Sequence, residues 1–404
     1  MLRRHVGGLS EVGSKKNVVS IILVGNAFVW YYVVLSLLQS FVPEVLVWAP
    51  VHFSALIISA LVGPSLAKKM ERSRFLILWM IIGVVSSATL FGLANTSVIV
   101  VSLVSLFLGL SLGFGMPACM SYFTESVSVE IRGRVSGVII LASGMGIVAF
   151  GFAQLSDLLS ISIVLGIWRF SSLVVFLWAR DYRKIKRKES VSSFKRVFSQ
   201  HSFILYFVPW VMFSLVNYLA SFIPPNNQQY ADLDIVRTVV MGASAVLGGI
   251  FADSVGRKRI AIASFAMLGL GAAVLGFLGN NLPQNADPIL YFCAIMNGAA
   301  WGFLLVLFVL TLWGDISYNS SSEKYYALGV MPFFLSKLLE LTLGSSIPQE
   351  LRSSSPLFSF TAFFLFLAIL PLAYAPETLP EKTIKERELK IYIEKAQEIA
   401  QKYG

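Results

Sequence analysis

The sequence predicts an all-α polytopic membrane protein, with twelve transmembrane helices in two pseudo-symmetric six-helix bundles. Three observations carry this expectation. Apolar runs of about 20 residues, the length that crosses a bilayer, recur throughout the chain. Lysine and arginine collect in every second link between those runs. Motifs near positions 63 and 125 return near 249 and 315, so the second half echoes the first.

A hydrophobic content of 56% with only 13% charged residues excludes an ordinary soluble domain, which carries about 25% charge. A β-barrel needs alternating segments of about ten residues, and none is present. Residues 1–17 are polar and basic, and no cleavable signal peptide is expected. The first bundle is expected over 18–180, with apolar runs at 18–38, 45–67, 75–94, 98–123, 135–155 and 158–179. A basic linker follows at 181–201. The second bundle is expected over 202–375, with runs at 202–223, 235–252, 260–278, 289–312, 325–347 and 357–375. Within 376–404, Leu389, Tyr392, Ile393, Ala396, Ile399 and Tyr403 fall at helical spacing among Glu and Lys. That tail reads as an amphipathic surface helix or as a solvated extension.

If every run spans, 28 of the 32 Lys and Arg lie on one side, leaving Arg169, Arg237, Lys337 and Arg352. One missed span would scramble that separation. The positive-inside rule makes the rich side cytoplasmic, with both termini there and the cell membrane as the expected location. Topology thereby accounts for the net charge of +10, and no nucleic-acid partner is expected. Cys119 and Cys293 sit inside apolar runs and read as small buried side chains. No metal and no cofactor is expected.

The link between the eighth and ninth runs sets Gly249, Asp253, Gly256, Arg257, Lys258 and Arg259 in the spacing G-x-x-x-D-x-x-G-R-K-R. Its echo, Gly63 to Arg74, starts 186 positions earlier, with Lys68 replacing the acid and Glu71 the second glycine. A second echo pairs Glu125, Arg132, Gly133 and Arg134 with Asp315, Lys324 and Gly329. The first spacing resembles the loop signature of the major facilitator superfamily. Glu125 followed by R-G-R, Trp168-Arg169, and Pro376-Glu377-Thr378 narrow the resemblance to the sugar-porter and organic-ion branch. The resemblance implies the major facilitator fold and transport by alternating access. It also implies that Asp253 with Arg257, and Glu125 with Arg132, form charge clusters holding the cytoplasmic side closed, Arg134 and Asp315 belonging to the same region. Alternatively these charges set topology alone.

Ionisable groups inside a span are functional candidates because hydrocarbon penalises them. Lys337 and Glu340 stand three apart, on one helical face, and read as a proton-exchanging pair or a self-neutralising packing pair. Arg169 is mid-span by hydropathy, yet the Trp-Arg resemblance favours an outer position from which it snorkels. His52 could titrate near neutrality or merely pack. Asn26, Asn217 and Asn297 can bind a solute or join helices. Trp301, with Trp30, Tyr31, Tyr32, Trp210 and Tyr218, can stack a ring or face lipid. Gly109, Gly113, Gly115 and Pro117 suit either a moving gate or tight packing. Gly144, Gly146 and Gly151 carry no proline among them, so the glycine-proline antiporter signature of the superfamily is not met, and the resemblance thereby implies uptake or facilitation over efflux.

The leading expectation is a monomeric, proton-coupled transporter of a small organic solute, a sugar or a carboxylate, in contact with the lipid bilayer. An uncoupled facilitator or an exporter of the same fold is the alternative, and a solute receptor that moves nothing is the alternative from another class. No enzyme activity is expected, since three histidines offer no ligand cluster and no Walker loop is present.

Overall fold

The computed structural model describes residues 12–94, 97–153, 157–179, 193–219, 227–278, 287–317 and 320–379. The 1–11 segment, most of the basic linker and the 380–404 tail helix lie outside the described residues. The first bundle contains α1 (Lys15–Phe41), α2 (Val45–Ala67), α3 (Arg72–Thr89, continued by a 3-10 turn Leu90–Ala94), α4 (Val98–Ser126), α5 (Arg132–Phe152) and α6 (Leu158–Trp178). A short helix, Phe194–Phe198, precedes the second bundle. That bundle contains α7 (His201–Val216), α8 (Asn227–Ser254), α9 (Arg257–Leu278) and α10, which runs Asp287–Leu304, Leu305–Thr311 and Leu312–Ile316. It ends with α11 (Glu323–Gly329 and Met331–Thr342) and α12 (Ser355–Leu367 and Ile369–Tyr374). Helices therefore stand at all twelve expected positions.

Among the described residues, ten of these are long and apolar enough to cross a membrane, so the chain is a multi-pass membrane protein. The exceptions are α7, whose helix ends at Val216, and α11, which breaks at Val330. Pro332 sits in the first turn after that break, where its missing N–H needs no partner and its ring would obstruct a continuous helix. The helices also overrun the apolar runs at the charged ends. α3 begins at Arg72 and α9 at Arg257, because helix hydrogen bonding continues past the point where hydropathy falls.

The internal repeat is visible in backbone contacts. A Cβ at Gly109 or Gly113 of α4 would fall on the carbonyl oxygens of His52 and Leu56 in α2. A Cβ at Gly298 or Gly302 of α10 would fall on those of Arg237 and Met241 in α8. The α2 and α8 positions are 185 apart (52 to 237, 56 to 241), and the α4 and α10 positions 189 apart (109 to 298, 113 to 302). This corrects the register expected from sequence by one residue. Gly63, packed on Phe114, corresponds to Gly248, packed on Phe303. Lys68 then matches Asp253, and Arg72 matches Arg257.

The α4 glycines thus serve close packing inside the first bundle, rather than a gate between bundles. Leu305–Thr311 of α10 is a π-helical stretch, with the Thr311 hydroxyl donating to the Val306 carbonyl at 3.0 Å. A π turn accommodates one additional residue. The spacing between halves grows by one across it, from 189 (114 to 303) to 190 (125 to 315).

The bundles meet along two seams. On one, α5 lies against α8, with Gly133 on the Gly249 carbonyl and Gly137 on the Ala245 carbonyl. On the other, α11 lies against α2 and α4. Gly113→Val is expected to destabilise the protein by about 1–3 kcal/mol through overpacking. Gly144→Ala, where a Cβ meets nothing within 4 Å, is expected to cause no loss. Thermal unfolding in detergent checks both.

Candidate functional site

At the end where the cations gather, the two bundles are joined by a buried network of charge. Asp253, at the end of α8, receives the backbone N–H groups of Gly133 and Arg134 at 2.9 and 2.8 Å. It therefore caps the N-terminus of a helix in the other bundle, satisfying donors that α5 cannot satisfy itself. Asp253 also pairs with Arg257 at 3.0 Å, and lies 3.8 Å from the Arg134 guanidinium.

Arg257 is wholly buried. Its Nε donates to Asp315 at 2.9 Å, its Nη1 to the Ala252 carbonyl, and its Nη2 to the Val129 carbonyl of the first bundle. Arg132 reaches across from α5 to the same Asp315. Glu377 accepts the N–H groups of Arg257 and Lys258 at 2.9 and 3.2 Å, capping α9. Gly256 precedes this cap at φ +120°, a conformation that favours glycine, and a side chain there would strike Glu377. Lys258 itself extends to the Ala373 carbonyl, and Arg259 is exposed.

The expected pairing of Glu125 with Arg132 is not what forms. Glu125 pairs with Arg72 at 2.5 and 2.9 Å, supported by Ser121, while Arg132 is taken by Asp315. The reason is the repeat: Arg72 occupies the Arg257 position, and Glu125 the Asp315 position. Sequence reading missed Arg72 because the register was one residue off. It also missed Glu323, which lies 3.6 Å from Arg72 and brings the acid of the second seam from α11. With Lys68 where Asp253 stands in the other half, the acid of this seam stands on the facing helix instead. Thr124 and Ser322 share a 2.9 Å hydrogen bond across this seam.

Deeper in the bundles, Arg169 lies midway along α6 and is 1% exposed, so the snorkelling position expected for it is overturned. Its guanidinium sits 4.1 Å from the Trp79 ring centroid and 5.9 Å from that of Trp30. It donates to Asn26 at 3.3 Å, and Gly83 leaves the space its side chain fills. Asn26 in turn donates to the Trp168 carbonyl at 2.6 Å, so it ties α1 to α6 inside one bundle. Trp30 and Trp210 are buried rather than lipid-facing; Trp30 donates to Ser87, and Trp210 stacks on Phe308 at 4.8 Å. Tyr32 alone of the first aromatic group is more than half exposed.

Lys337 and Glu340 form a 2.9 Å ion pair, partly exposed, in the last turns of α11. Asn217 is the C-cap of α7, and Asn297 lies partly buried on α10 with its side-chain oxygen unpartnered. Trp301 packs edge-on against Phe213 at 5.0 Å and approaches Phe333 of α11 at 6.5 Å. His52 is fully buried beneath Tyr31, which meets Phe334 of the second bundle. Between the bundles a narrow apolar gap is lined by Ala60, Met116, Pro117, Met120, Tyr326, Ala327, Val330 and Phe334.

No protein-family model matches the chain, and no curated protein matches it either. Solved structures do. The proton:xylose symporter XylE of the major facilitator superfamily, bound to 6-bromo-6-deoxy-D-glucose, superposes with a TM-score of 0.68 at 14% identity, over 90% of this chain and 96% of its own. The human organic anion transporter MFSD10 (TETRAN) gives a TM-score of 0.59 at 15% identity, over 89% and 99%. The chain has the major facilitator fold.

Arg257→Ala is expected to destabilise the protein by about 3–5 kcal/mol, because Asp253 and Asp315 remain buried without it. Arg257→Lys is expected to recover less than half of that, since a single ammonium cannot serve four separated acceptors. Unfolding midpoints of the purified variants check this.

Proposed function

We propose that this protein is a secondary transporter that carries a small organic solute, a sugar or a carboxylate, across the cell membrane by alternating access, coupled to protons. The latch at the basic end carries the reading. Asp253, Arg132, Arg257 and Arg72 each bond a group in the opposite bundle, and all four are buried. A contact made only when the bundles meet at that end stabilises one arrangement of two, and its rupture permits the other. A static scaffold would gain more from apolar packing at the same place, because burying paired charge is seldom stabilising overall. The overlap with two solved transporters supports the same mechanism. In this reading the basic end is cytoplasmic, both termini lie there, and the working unit is a monomer whose bundles rock about the gap near Phe334.

The test uses proteoliposomes loaded with labelled sugars or carboxylates, with and without an imposed pH gradient. Gradient-driven accumulation of one of these is expected, and absence of flux for all of them with solute binding intact overturns transport in favour of a receptor. Asp253→Asn is expected to weaken the latch. A cysteine placed at Ala327 in that variant should then react several-fold faster with an impermeant maleimide applied from the basic side, and solute exchange should slow. Equal labelling and equal exchange in variant and parent would refute the latch.

A further inference from the structure

The two seams are built differently. On the α5–α8 seam backbone lies directly on backbone: Gly133 on the Gly249 carbonyl and Gly137 on the Ala245 carbonyl, with the Asp253 carboxylate closing over the Gly133 and Arg134 N–H groups. On the other seam the bundles leave a gap, and every residue that lines it comes from α2, α4 or α11. Its lining is apolar apart from Tyr326, whose hydroxyl is spent on the Leu310 carbonyl inside the second bundle. Atoms that border a gap lack dispersion partners on one side, so this seam has less packing to lose when it parts. α11 also breaks at Val330, which lines the gap, so its inner segment with Ala327 is not continuous with the one carrying Phe334.

The charges repeat the contrast. By the internal repeat, Lys68 takes the place of Asp253, and Lys324 that of Arg134 (134 to 324, as 125 to 315). Asp253 and Arg134 attract each other across the first seam at 3.8 Å. Lys68 and Lys324 carry like charge and lie within electrostatic reach of each other across the second. Lys324 is buried, its ammonium 5.2 Å from the centre of the Phe194 ring, whereas Lys68 is exposed. Glu323 also acts on Lys324, but it stands 3.6 Å from Arg72 and shares its charge with that guanidinium. The Arg72–Glu323 and Thr124–Ser322 contacts hold this seam shut against the repulsion. A like-charge pair with one exposed member is weak, yet the motion that widens the gap relieves it.

Resting on the two-state reading above, we propose that the basic end opens in a fixed order: the α2–α4–α11 seam parts first, driven by Lys68 against Lys324, and the α5–α8 seam parts last. The first seam is then the pivot of the early motion, and the second is the gate. Loose packing, opposed charge and a broken helix all fall on the gate side. Backbone contact and paired charge fall on the pivot side.

Single cysteines placed at Ala327, in the gap, and at Ser136, buried one position before Gly137, report the two seams. An impermeant maleimide is applied to proteoliposomes from the basic side, over the background of the buried Cys119 and Cys293. Each rate is divided by that of the same cysteine in the unfolded chain. Ala327→Cys is expected to react about fivefold faster than Ser136→Cys, or more. Lys68→Asp, which restores the attraction present on the other seam, is expected to slow Ala327→Cys about fivefold, and Lys68→Ala, a gentler change, about twofold. In a Lys324→Gln background the effect of Lys68→Asp is expected to fall below about twofold. Because Lys68 is exposed, raising salt from about 0.05 to about 0.5 M is expected to draw the parent and Lys68→Asp rates together. Equal normalised rates at the two positions, no slowing by Lys68→Asp, or slowing that survives Lys324→Gln would overturn the proposal. Labelling in this order without flux of any solute would spare it and overturn the transport reading, while flux with neither cysteine reactive would do the reverse.

Discussion

The structure depends on a guanidinium without water. Arg257 is fully buried between two carboxylates and two backbone carbonyls, one of them from the opposite bundle. Such a group is tolerated only while its neighbours stay in place, because a buried charge that loses its partner has no solvent to turn to. That couples Asp253, Asp315, Arg132 and the first turn of α5 to one another, since each holds its place through the same guanidinium or one of its partners.

The fold was legible because membrane physics leaves so few solutions. Apolar runs and the sidedness of cations locate the helices, and the paired motifs divide them. What could not be read was register at the level of one residue. Arg72 escaped notice because the first-half loop lacks the acid and second glycine that mark its counterpart. Only the contacts of Gly63, Gly109 and Gly113 fix the alignment that reveals it. Hydropathy likewise placed Arg169 correctly in the middle of α6, and the Trp-Arg resemblance drew it outward. Two tryptophans and an asparagine hold that cation inside the bundle, an environment that no linear spacing announces.

The repeat also explains features that look irregular in isolation. The π turns of α10 coincide with the place where the two halves differ by one residue, and beyond them Asp315 takes the role that Glu125 has in the first half. An extra residue in a buried helix would rotate everything after it by about 100°. Widening one turn confines that change and keeps the carboxylate facing its arginine.

The exchange of charge between the two seams has a consequence for assembly. On one, the acid is Asp253 of α8 facing the cationic start of α5; on the other, Lys68 follows α2 and the acid is Glu323 of α11. Had both halves kept the same polarity, each would be a passable mate for its own duplicate in a crowded bilayer. Reversed polarity gives each half a surface whose best complement is its sister.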